Sequence, residues 1–223
     1  MKISKIFENF RKSSIFELYK FFENIEEKFY IVGGAIRNFA LNQDSYDLDI
    51  VLIDEEPEKI SKEISKRIKG FCFLLDEEFK EYRILLKREK NYTIDVSPLR
   101  GENIEEDLKK RDLTINSIAL DPKKMELIDV VGGLKDIEEG ILRTLSEENL
   151  IEDPLRILRV IRFHFLYGFK IEEKTYEWMK KNKELLKNVA KERIKYEIWE
   201  MFGKGKYIES GIDILKESEI LFE

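Results

Sequence analysis

Residues 33–52 read "GGAIRNFALNQDSYDLDIVL", and the fold turns on how that run is taken. Tyr46 to Leu52 has the character of a buried strand, yet it carries acids at Asp47 and Asp49. Side chains two apart on a strand share a face. The two carboxylates would then stand about 6–7 Å apart beside an apolar core. Like charges that close repel unless something cationic lies between them. The stretch is therefore either an exposed loop or an acid pair that holds a metal ion. Just upstream, "FYIV" (residues 29–32) is a short apolar run ending at Gly33 and Gly34. A glycine pair after a strand lets backbone N–H groups approach a phosphate, with the positive end of the following helix behind them. Arg37, one turn into that helix, could reach the same phosphates. A plain turn uses the same residues, so the glycines alone decide nothing. A phosphate cradle followed so closely by paired carboxylates is what metal-assisted nucleotidyl transfer requires. Mg²⁺ takes one or two carboxylates plus substrate phosphates.

Outward from this run, Ile6, Phe10, Phe16, Tyr19 and Phe22 recur at helical spacing and predict one amphipathic helix over residues 3–28. "AIRNFAL" suits a helix of about two turns, and residues 56–70 suit a helix closed by Gly70. "FCFLL", "YRILLK" and "YTIDVSPL" predict three strands, residues 104–120 begin as a helix, and "MELIDVVGG" returns as strand and turn. From about Ile137 the pattern is helical, with breaks near Gly168 and Gly203–Gly205. Strands mixed with helices, then helices alone, predict an α+β domain over 1–140 and a helical one over 141–223.

The 223 residues leave room for a sizeable core. No apolar run approaches the roughly 20 residues of a membrane span, and the N-terminus lacks a signal-peptide pattern. A cytoplasmic protein without a membrane partner is expected. One cysteine (Cys72) and one histidine (His164) rule out an internal disulfide and a Cys-rich zinc site, and argue against a serine–histidine triad. The chemistry is left to carboxylates, arginines and a hard cation. Net charge is −6, unevenly spread: residues 154–206 carry 14 Lys and Arg against 7 Asp and Glu, whereas 1–153 carry 25 against 34. The basic segment is either a footprint for a polyanion or a solvated lysine-rich surface. Nothing in the sequence sets an oligomeric state.

Two further runs carry candidate chemistry. In "EDPLRILRVIRF" (152–163), Asp153 precedes Pro154 and so can cap a helix, while Arg156, Arg159 and Arg162 repeat every third residue. A carboxylate accepts from an exocyclic amine, and a guanidinium donates to a ring nitrogen or carbonyl. Asp153 beside Arg156 therefore fits cytosine and adenine and leaves uracil or guanine with unpaired groups. The plainer reading makes Asp153 a helix cap and the arginines a basic surface. "EEDLKKRDLTINSIAL" (105–120) offers Arg111, Asp112 and Asn116, or else a helix end with a local salt bridge. Asp95, in "YTIDVSPLR", is a candidate third carboxylate or a solvated strand acid.

In chain order, "GGAIRN…DSYDLD", "EEDLKKRDLTINSIAL", "IDVVGGLKDIEEGILRT", "EDPLRILRVIRF" and "AKERIKYEIWEMF" resemble motifs A to E of the class II nucleotidyltransferases. These are the tRNA CCA-adding enzymes and bacterial poly(A) polymerases of the DNA polymerase beta superfamily. The resemblance spans roughly residues 30–202, and motifs A and D are its specific parts. It implies a nucleotidyltransferase (polymerase beta-like) mixed-sheet head followed by an all-helical neck. It implies transfer of CMP and/or AMP from CTP or ATP to the 3′ end of tRNA, with Mg²⁺ on Asp47 and Asp49 and Asp95 as a candidate third ligand. Gly33, Gly34, Arg37, Arg111, Asp112, Asn116, Asp153, Arg156, Arg159 and Arg162 would contact the nucleotide. Leu75–Arg83 resembles the family's mobile loop, or is an acidic hairpin. CC-only, A-only and poly(A) synthesis share these motifs.

Three departures stand out: Arg37-Asn38 for the family's Arg-Asp, Asn42-Gln43 for Gly-Arg, and Lys110-Arg111 for the double arginine. Family members usually continue past the position of Glu223 into body and tail domains that grip the tRNA elbow. Their absence is expected here, with a non-catalytic RNA-binding fragment as the rival reading.

Overall fold

Seven runs of alternating or continuous apolar residues pair into one sheet. In the computed structural model, which describes residues 2–23, 25, 28–53, 56–87 and 91–220, these strands are β1 (Phe29–Val32), β2 (Asp47–Leu52), β3 (Phe71–Asp76), β4 (Glu81–Lys87), β5 (Asn91–Pro98), β6 (Ala119–Asp121) and β7 (Glu126–Ile128). Their order is β3-β4-β5-β2-β1-β6-β7. Only β2 and β5 run parallel; the other neighbours are antiparallel. The fold is the mixed-sheet α+β head that the resemblance implies, followed by helices.

The chain packs as two compact units, Met1–Lys109 with Asn116–Leu134 and Lys110–Ile115 with Lys135–Glu223. In the first, the sheet is flanked by helices α1 (Ile3–Lys12), α2 (Phe16–Tyr19), α3 (Gly34–Ala40), α4 (Pro57–Ile68) and α5 (Ile104–Lys109). On one face of β2, Leu48, Ile50 and Leu52 are fully buried, and α3 packs against this strand. On the other, Val51 joins Tyr30, Val32, Ala119, Ile104 and Leu108 in a second cluster. Each such side chain contributes about 1.5–3 kcal/mol by leaving water. Period-two alternation puts Asp47 and Asp49 on the same face as Val51, at the end where that cluster stops.

The single helix expected over residues 3–28 is instead two. Ser13 Oγ donates to the Phe10 carbonyl at 2.6 Å, and both the backbone N–H and the hydroxyl of Ser14 donate to the Asp44 carboxylate. Serines that bond their own backbone compete with the helix ladder. Residues 24, 26 and 27 of that stretch lie outside the described residues. Helix α4 also ends one residue earlier than expected, at Lys69 in the left-handed region (φ 56°). Gly70 matters for another reason: a Cβ there would stand 2.9 Å from Ile84 Cγ2.

The second unit is built on α6 (Gly133–Glu139, which begins in the first unit), α7 (Glu147–Glu152), α8 (Leu155–Tyr167), α9 (Glu173–Asn182), α10 (Lys191–Lys204) and α11 (Ile208–Ser218). Helix α8 is its axis, packing on α7, α10 and α11. Leu155, Ile157, Leu158, Val160, Ile161, Phe163 and Phe165 are all buried. The helical expectation from Ile137 onward missed β8 (Ile141–Leu142) and β9 (Lys170–Ile171), a parallel pair of two residues each, too short for any periodicity to betray. The lone histidine is tied at both nitrogens, to the Phe169 carbonyl and to Ser210 Oγ, each at 2.8 Å. No helix among the described residues is long and apolar enough to cross a membrane.

Candidate active site

The first unit brings the glycine turn and the acid pair together. Gly33 sits at φ 71°, a conformation glycine adopts without strain. It follows Val32, whose cross-strand partner is Asp49. A Cβ on Gly34 would lie 3.3 Å from Arg37 Nη2, so the guanidinium folds back over the turn. Arg37 is buried and donates to the Asn116 side-chain oxygen, and at 3.1 Å to that of Asn38. Gly33, Gly34, Arg37 and Asn116 thus form one cluster, and the departure Asn38 helps to orient the arginine. A second departure, Asn42, takes φ 58°. Asparagine is among the few side chains that tolerate that region, so it can stand in for the family's glycine.

Asp47 is exposed and Asp49 half-buried. Asp95 is Asp49's partner in the parallel β2–β5 ladder, and Arg83 is Asp95's partner in the β4–β5 ladder. All four side chains therefore lie on one face. Arg83 Nε and Nη2 donate to the two oxygens of Asp95, each at 2.7 Å. The Asp95 hydrogen bond pushes the Arg83 guanidinium above its ordinary value, with Glu81 and Asp47 adding their fields. Burial, with Asp95 nearby, raises the Glu81 carboxyl. Among the described residues no three His, Cys, Asp or Glu side chains converge as a ready ligand set. Two hard carboxylates on one strand face beside a phosphate-sized turn nevertheless fit Mg²⁺, which completes its shell with water and substrate phosphates. Leu75–Arg83 covers the end of β3, the hairpin turn and the start of β4.

The second unit holds the motif D residues. Asp153 lies between α7 and α8, and its side chain does not cap α8. The helix starts later, at Leu155, and the carboxylate turns to Arg193 Nη2, at 3.2 and 3.4 Å. Arg156 donates to the carbonyls of Asn149 (3.0 Å) and Lys110 (3.1 Å), which fix its fork. Arg159 grips Asp112 Oδ2 through Nε at 2.8 Å and Nη2 at 2.6 Å. The charge of Asp112 holds the Arg159 guanidinium above its usual value. Arg162 Nε meets Glu197 at 3.2 Å, and burial raises the Glu197 carboxyl against the opposing pull of Arg162 and Arg159. The half-buried Arg111 accepts at its carbonyl from Asn149 Nδ2 (2.8 Å). The Arg156 backbone N–H donates to the Asp153 carbonyl at 3.0 Å, but the two side chains turn to different partners, and the three arginines diverge to separate anchors. Sequence reasoning missed Arg83, Arg193 and Glu197. The first carried a signal in its alternation with Glu81 on β4; the other two are long-range partners with none.

Residues 29–143 match the family model for the poly(A) polymerase head domain, and 168–222 that for a probable RNA- and SrmB-binding site of polymerase A. The chain belongs to the class II tRNA nucleotidyltransferase family. It is 36% identical over 201 residues to a CCA-adding enzyme of Ligilactobacillus salivarius, covering 86% of this chain and 49% of that one. It is 37% identical over 172 residues to a CC-adding tRNA nucleotidyltransferase of Geobacter sulfurreducens, covering 77% and 40%. Among solved structures, the Thermotoga maritima CCA-adding enzyme complexed with tRNA_CCA superposes with a TM-score of 0.79 at 30% identity, covering 92% of this chain and 50% of that one. A CCA-adding enzyme in complex with CTP gives 0.81 at 28%, covering 97% and 54%. The chain spans about half the length of the curated nucleotidyltransferases that it matches.

Proposed function

We propose that this chain transfers CMP and/or AMP from CTP or ATP to the 3′ end of a tRNA, with Mg²⁺ as its cofactor. The observation that carries the reading is the Asp47–Asp49 pair on one face of β2, next to the Gly33–Gly34 turn. Relatives named CCA-adding and CC-adding enzymes support it, as do structural neighbours described with CTP, ATP or tRNA_CCA. In this reading residues 1–140 act as catalytic head and 141–223 as base-reading neck, and a cytoplasmic setting suits a tRNA substrate.

The RNA 3′-oxygen attacks the α-phosphorus and loses its proton, the α–β anhydride bond breaks, and pyrophosphate leaves. Asp47 and Asp49 would hold Mg²⁺, which supplies charge neutralisation at the triphosphate and activation of the hydroxyl. The glycine turn, Arg37 and Arg111 bind triphosphate and sugar, with Asn116 orienting Arg37. Asp153 accepts from the exocyclic amine and Arg156 donates to the adjacent acceptor of C or A. Asp112, Arg159 and Arg162 act by holding α8 in place beneath those two. Catalysis of this kind is mostly positioning and charge stabilisation.

The test is label transfer onto a tRNA lacking its 3′ CCA, each NTP singly and then CTP with ATP. Incorporation of C and A but not U or G, lost with EDTA, is the expected result. Product length separates CCA, CC-only, A-only and poly(A) activity. No incorporation together with no Mg²⁺-dependent binding of CTP or ATP would overturn the reading and leave RNA binding alone.

A further inference from the structure

We propose that Arg83 is a positioning residue of the cation site: its two-pronged grip keeps Asp95 out of the ligand set and leaves Asp47 and Asp49 as the site's carboxylates. This rests on the assignment of Asp47 and Asp49 above. Asp95 has the place a third ligand would need. It is level with Asp49 on the adjacent parallel strand, and neighbouring strands lie only about 4.8 Å apart. Its oxygens are both engaged, however, by Nε and Nη2 of Arg83 at 2.7 Å. That is the bidentate geometry in which an arginine binds a carboxylate most firmly. The Asp95 side chain is 14% exposed and Arg83 34%, so water competes weakly for the contact.

The pair has a consequence for how a cation arrives. Three carboxylates on one face would hold a divalent ion without any nucleotide and leave fewer coordination positions for phosphate oxygens. With Asp95 neutralised, the remaining two bind the ion weakly until a triphosphate adds its own oxygens. Arg83 thus makes metal and nucleotide arrive together, and it does so from a strand that carries none of the residues assigned to the reaction.

The probe is Mn²⁺ alone, titrated into the full chain without nucleotide and followed by the EPR signal of the free ion. Arg83→Met releases Asp95 and is expected to bind Mn²⁺ at least fivefold more tightly than the unaltered protein. Arg83→Met with Asp95→Asn removes one charge of each sign and is expected to return within twofold of the unaltered protein. If that double variant instead loses fivefold or more, Asp95 is a ligand already and the proposal is wrong. Unchanged or weaker binding by a folded Arg83→Met protein also overturns it. Should Arg83→Met fail to fold, the charge-balanced double variant still decides between the two. Asp49→Asn separates the premise from the proposal: if it binds Mn²⁺ as the unaltered protein does, the site itself is misassigned.

Discussion

Asp47 contributes little to the sheet it sits on. Its side chain is exposed, and the packing of β2 comes from Leu48, Ile50, Val51 and Leu52. Replacing Asp47 by Ala is therefore expected to cost no more than about 0.5 kcal/mol of stability, as for other surface positions. Turnover should fall by at least ~10³-fold, because a preorganised charge at the reacting centre is lost. Near-normal incorporation by folded Asp47→Ala or Asp49→Ala protein would refute the assignment. Arg193 presents the opposite case, a residue with no evident catalytic task. Its guanidinium lies 3.2 Å from the Asp153 carboxylate and so sets where the oxygens proposed to read the base point. Arg193→Ala should raise KM for CTP and ATP roughly three- to tenfold with kcat little changed, the mark of lost ground-state binding. Steady-state kinetics at saturating tRNA check this, and a fall in kcat at constant KM would assign Arg193 elsewhere.

Elements are where the sequence proved both readable and silent. Strand β2 was legible because its acids break a pattern that is otherwise apolar, and α8 because arginines recur at every third position. What pairs with what was not legible, since Asp95 meets Arg83 through sheet register and Arg162 meets Glu197 through helix packing. Neither partner is fixed by spacing along the chain. The α8–α10 contact carries a prediction of its own. Glu197 is 2% exposed, and its pairing with Arg162 offsets a burial cost that would otherwise be unmet. Arg162→Met should destabilise the protein by about 3 kcal/mol, because it strands a buried carboxylate. Adding Glu197→Leu should recover most of the loss, since apolar packing replaces a buried pair at little cost. Burial raises the Glu197 carboxyl, so the folded state keeps a proton at pH values where the unfolded chain has released it. Stability from this group therefore falls as pH rises from the ordinary carboxylate range toward the raised value. In Arg162→Met that window extends further upward, and thermal melts between pH 4 and about 8 should show the steeper decline.

Over the whole molecule, charge separates the two kinds of work. The chain is acidic, at −6, yet residues 154–206 carry twice as many cations as anions. Some of those cations are committed to structure, as Arg159 and Arg162 are, so fewer remain to meet phosphates. The exposed side chains of Tyr196, Trp199 and Phe202 lie among the lysines of α10, and Lys204 stands 5.6 Å from the Trp199 ring. Such a surface is expected to bind single-stranded RNA by stacking as well as by charge. Each phosphate neutralised on a single strand contributes about −0.7 to the slope of log K against log salt. A footprint of about four to six phosphates would give a slope of about −3 to −4. Fluorescence anisotropy of a tRNA 3′-end oligonucleotide between 50 and 300 mM KCl would measure it. Trp199→Ala should weaken binding by roughly 1–3 kcal/mol without changing that slope, because a stacking contact releases no counterions. Lys204→Ala should instead flatten the slope by about 0.7. A slope near zero would mean that the basic segment is a solvated surface and that RNA is held by something other than charge.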